Sequence, residues 1–250
     1  MMYFELNFSI GRKAVGSLDG LGQLMGDIIS QNPWYAEIFA PDPALPPKER
    51  ILKRIKIDDF AKKPLNGLIF DKNGKFNDII RFGGSRGFFV NAKLKGILET
   101  CRLPNHKFLK TEIISEKTNR PIDHDYYWFV YDLDTGEETV NFEKSEFEID
   151  KHEQKHGKRF IITNYQDYLN VFYETGSAIR PTKLVFNKNF DKELDIFSVH
   201  FLTGPDSYIS ERLLNKLNNA GIVGHKVYSH EEQKQSAAKF NNLYREMIWE

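Results

Sequence analysis

The chain has 250 residues, 40% apolar, 14% aromatic and 28% charged, with 35 basic and 35 acidic side chains that cancel. Such a composition excludes a disordered chain, which needs low hydrophobicity and a large net charge, and argues against a general nucleic-acid coat, which needs a basic face. The lone cysteine, Cys101, excludes an internal disulfide; with no signal-like start and no run near the ~20 apolar residues of a membrane span, a cytoplasmic protein is expected.

In chain order, Phe4 to Ile10 alternates apolar and polar residues and predicts a half-buried strand. The stretch from Pro33 to Pro47, around Trp34, Tyr35 and Phe39, reads as an irregular packed loop. Leu68-Ile69-Phe70 and Asp78-Ile79-Ile80 predict strands separated by a polar turn. Asn91 then caps a helix whose Leu94, Ile97, Leu98 and Cys101 share one face, and a strand follows from Lys107 to Ile114. Tyr126 to Tyr131 is a dense aromatic strand; Asp132 to Gly136 supplies a turn, and Glu138 to Ile149 returns as the hairpin partner. A charged connector, Lys151 to Lys158, leads to a strand at Arg159 to Thr163 and a helix capped by Asn164 that carries Tyr168, Leu169, Phe172 and Tyr173. At the end, Ser229 and Glu232 have capping-box spacing, and Phe240, Leu243, Tyr244, Met247 and Ile248 form the stripe of an amphipathic helix.

The sequence also resembles itself. Phe89 to Leu98 lies over Tyr208 to Leu217 without a gap, and the register continues until Leu103 to Phe108 falls on Ile222 to Val227. Upstream, Leu68 to Lys72 resembles Leu184 to Lys188, and Asp78-Ile79-Ile80 resembles Asp195-Ile196-Phe197. In the second copy Ser210 is the N-cap, Leu213, Leu217 and Ala220 share a face, and His225 to Tyr228 is the final strand. The expected fold class is α+β: two similar β-β-α-β units, an intervening β-hairpin and helix, and a terminal amphipathic helix. Residues 1–120 would hold the first unit, about 66–114, and residues 121–250 the hairpin, the second unit, about 182–229, and the last helix; one pseudo-symmetric domain is the alternative.

Motifs for chemistry are weak. His106-Lys107 and His225-Lys226 read as the same slot of a repeated scaffold. His152 and His156 have the helical spacing of a metal pair, but flanking lysines repel a cation. Asp123-His124-Asp125 has no nucleophile beside it, and Gly83-Gly84-Ser85-Arg86-Gly87 lacks the lysine-hydroxyl pair of a phosphate loop; its counterpart is Thr203-Gly204-Pro205-Asp206-Ser207. No catalytic residue, cofactor or metal is therefore assigned. The rival readings are a metal-dependent hydrolase using His152, His156 or the Asp123-His124-Asp125 cluster, and an adaptor or structural protein of a secretion or phage-like assembly.

Tyr126 to Val130, Glu143 to Glu148, Lys183 to Phe186, Asp195 to Phe197, Ser210 to Leu213 and Ala220 to Gly224, in that order, resemble a bacterial family of immunity proteins of polymorphic toxin systems over roughly residues 60–230. The resemblance implies a non-enzymatic protein that binds and neutralises a cognate toxin, with no nucleic-acid or membrane partner. Buried aromatics anchor tight interfaces, which makes Trp34, Tyr35, Tyr126, Tyr127 and Trp128 the candidate partner-binding residues.

Overall fold

A computed structural model describes residues 2–8, 12–16, 23–39, 47–80, 82, 86–149, 159–175, 179–201, 207–229, 231–235 and 246–250. The first part runs β1 (Tyr3–Phe8), α1 (Arg12–Val15), β2 (Leu24–Met25), α2 (Ile28–Gln31), α3 (Pro33–Phe39), α4 (Pro47–Ile55) and α5 (Ile57–Phe60). Next come β3 (Leu68–Phe70), β4 (Ile79–Ile80), β5 (Phe88–Asn91), α6 (Ala92–Leu98), β6 (His106–Thr111), β7 (Ile113–Ser115) and β8 (Tyr126–Tyr131). The rest comprises β9 (Glu146–Ile149), β10 (Arg159–Phe160), α7 (Tyr165–Thr175), β11 (Ile179–Phe186), β12 (Ile196–Phe197), β13 (Ser207–Ser210), α8 (Glu211–Asn219), β14 (His225–Tyr228) and β15 (Glu246–Trp249). The fold is α+β with several small sheets.

Two of these sheets share one plan, β4-β5-β8-β6 and β12-β13-β1-β14. β5 and β6 both run antiparallel to β8, hence parallel to each other, as a helical crossover through α6 requires. The strand between them comes from later in the chain. In the second sheet the corresponding gap between β13 and β14 is filled by β1, from the other end of the sequence. Phe129 lies opposite Phe88 and Phe108, while Leu6 lies opposite Ser207 and Val227.

Both helices start where the caps predict. The Asn91 side chain accepts from the Leu94 N–H at 3.0 Å, and the Ser210 hydroxyl accepts from the Leu213 N–H at 3.1 Å. Such caps are worth about 1 kcal/mol each. Leu94 and Leu98 of α6 and Leu213 and Leu217 of α8 pack in one core with Ile79, Phe88, Val90 and Phe129 from one sheet and Leu6, Ile196 and Ile209 from the other. The opposite faces of the two sheets meet separate clusters. Tyr126, Trp128 and Val130 lie against Tyr35, Ile57 and Leu65, whereas Tyr3, Phe197 and Tyr208 lie among the aromatics of β11 and α7.

Reciprocal contacts lock the sheets together. The Asp78 N–H donates to the Val223 carbonyl at 3.0 Å, and the Asp78 carboxylate accepts from the Val223 N–H at 2.7 Å. Asp195 does the same with Arg102, at 2.7 and 2.9 Å. Each loop that leaves one helix is thus held by the aspartate of the other sheet.

Four expectations need correction. The hairpin does not form: β8 has a strand on each edge, whereas β9 pairs with β10 and β11. Both faces of Tyr126 to Tyr131 are apolar, so this strand belongs in the middle of a sheet, with partners for all its backbone groups. The loop over Pro33 to Pro47 is partly helical, because Pro33 and Pro47 each open a helix, where a missing N–H costs nothing; residues 40–46 lie outside the described residues. The terminal stripe is not one helix. Among the described residues of this segment 231–235 are helical, Met247 and Ile248 belong to β15, parallel to β11, and Phe240, Leu243 and Tyr244 lie outside the described residues. The strand expected over Arg159 to Thr163 is confined to Arg159–Phe160. Residue 120 lies between β7 and β8, and β1 pairs with β13 and β14.

Candidate functional site

Three of the five aromatics nominated as partner anchors are enclosed. Tyr35, Tyr126 and Trp128 are 2%, 1% and 0% exposed, which takes them out of reach of a partner. They support Arg86 and the neighbouring turns instead: the Arg86 N–H donates to the Tyr35 hydroxyl, Trp128 Nε1 donates to the Arg86 carbonyl, and the Tyr126 hydroxyl donates to the Asn77 carbonyl. Trp34 and Tyr127 are half-buried, with Lys63 over the first ring at 5.7 Å and Lys95 over the second at 5.4 Å.

The polar motifs also resolve into structural roles. Arg86 donates to the carbonyls of Arg54 and Tyr131, which ties the end of α4 to the end of β8. Burial pulls its guanidinium down to about 10, so it stays charged at neutral pH. Gly87 follows with φ +74°, where an added Cβ would meet the Phe129 carbonyl oxygen at 2.2 Å; residues 83–85 and 202–206 lie outside the described residues. His106 Nδ1 faces the Pro104 carbonyl at 2.8 Å, and burial lowers the pKa of His225. His152 and His156 lie outside the described residues, and among the described ones no three His, Cys, Asp or Glu side chains gather as a metal site. Asp123, His124 and Asp125 do not form a relay: Asp125 pairs with Lys110 at 2.9 Å, and His124 packs on Phe76 with ring centroids 4.0 Å apart. Burial pushes the Cys101 thiol up, away from the reactive thiolate.

Sequence reasoning missed one partly buried pair. The Tyr165 hydroxyl and His200 Nε2 lie 2.9 Å apart, and the imidazole is ringed by Tyr165, Tyr168 and Phe201. Burial holds His200 down to about 3 and raises the Tyr165 hydroxyl, so both are neutral and neither is set up to move a proton near pH 7.

The interior between α6 and α8 has only about 10 Å³ free, too little for a ligand. A cleft of about 390 Å³ opens at the start of α7, but its polar lining is engaged. Glu137 pairs with Lys48 at 2.7 Å, Asn164 accepts from the Asp167 N–H at 2.9 Å, and Asn187 donates to the Glu138 carbonyl at 2.9 Å.

A third concavity, of about 260 Å³, lies beside Phe76, Lys93, His124 and Asp125. Phe76 is 47% exposed, yet its ring is stacked on Phe70 at 4.4 Å and 9°, with His124 against it. A flat, pre-ordered aromatic surface next to a lysine can bind a partner at little entropic cost. Its only signal in the sequence is one aromatic residue inside the polar turn Asp71 to Asp78. No protein-family model matches this chain, and neither does any curated protein.

Proposed function

We propose that this chain is a cytoplasmic, non-enzymatic immunity protein that binds and blocks a cognate bacterial toxin domain. The observation that carries this reading is the exposed ring of Phe76, held between the buried Phe70 and His124 next to Lys93. Support also comes from the use of Asp78, Asp195, Arg86 and His200 to hold main chain or packed rings. The order of motifs shared with immunity proteins gives the partner class.

We further read the two β-β-α-β stretches as copies of one unit, each completed by a strand from outside it. The single offset that sets Phe88 on Ser207, Asn91 on Ser210 and Phe108 on Val227 supports this, as do the matching roles of Asp78 and Asp195.

Co-expression with toxin domains encoded by neighbouring genes tests the function. Growth rescue together with a stoichiometric complex is the expected result. A toxin that stays fully active and unbound in the presence of folded protein overturns it.

A further inference from the structure

We draw no further inference here: the strongest candidate, the cleft of about 390 Å³ at the start of α7 with Glu137, Glu143, Asn164 and Asn187 in its wall, has Glu137, Asn164 and Asn187 held by partners within the chain, and nothing in the structure shows what would fill it.

Discussion

The Ser210 hydroxyl donates to the Asp195 carboxylate across 2.5 Å, so the side chain that caps α8 is itself oriented by an acid from the neighbouring strand. The same carboxylate accepts from the Arg102 N–H at 2.9 Å and from Arg212 Nε at 2.8 Å. Burial pushes this carboxyl up, but the bonds from Arg212, Ser210 and Arg102 outweigh it and hold it below its ordinary range.

Asp195→Asn keeps the volume and removes the charge that these donors need. Arg212 is 48% exposed, which screens its share; the loss is mainly that of buried hydrogen bonds, about 2–3 kcal/mol at pH 7. The sign of the pH effect follows from the lowered pKa. The stabilisation is present above the unfolded value of about 3.9 and is lost as the pH falls through the folded one. Urea midpoints at pH 7 and pH 2.5 should show a wide gap between wild type and variant at the first and a narrow one at the second. Equal gaps would show that the carboxylate charge is not what matters.

Arg86→Met leaves the carbonyls of Arg54 and Tyr131 without their donor in a closed site. A cost of about 2–5 kcal/mol is expected, because unmet buried acceptors are expensive even when the replacement is well packed. Arg86→Lys should recover less than half of this, since a single ammonium does not present the planar fork that serves both carbonyls. Urea denaturation decides, and full recovery by lysine would contradict the fork geometry.

His200 gives a second acid effect in a different window. Held down to about 3 by burial, it stays neutral in the folded chain, while the unfolded chain takes up a proton below about pH 6.5. Stability should therefore fall as the pH drops from about 6.5 toward 3, by a few kcal/mol at most. His200→Gln is expected to lower stability at pH 7 by about 1–2 kcal/mol and to flatten that slope. An unchanged slope between pH 6.5 and 4 would assign the acid loss to other groups.

What was legible in the sequence was local. The Asn91, Ser210 and Asn164 caps, the helical faces and the Ser229–Glu232 capping box all rest on residues within one turn of each other, and each is where it was predicted. Strand partners were not legible. β1 joins strands about 200 residues away, a pairing with no local signature, and the turn-forming Asp132 to Gly136 suggested a hairpin although β8 already had partners on both edges. The short run from Met247 to Trp249 suits helix or strand alike, and the open edge of β11 decides for strand. At the candidate site the nominated aromatics were those in apolar runs, which belong to the core, whereas Phe76 stands among polar residues and was passed over.

The unequal burial of Trp249 and Phe76 predicts unequal mutational costs. Trp249 stacks on Phe186 and leans on Tyr3 at 5.3 Å, so its ring closes the cluster formed with Phe190 and Phe197. Trp249→Ser should cost about 2–3 kcal/mol, at the low end for a large aromatic because the residue is only partly buried. Phe76→Ser removes a ring that is 47% exposed and should cost less than about 1 kcal/mol. Urea midpoints of the two variants measure the difference directly. If Phe76→Ser proves as costly as Trp249→Ser, Phe76 is a core residue in effect, and selection for stability alone would explain its presence. A small cost leaves an aromatic ring that folding does not require, held flat on the surface beside a lysine.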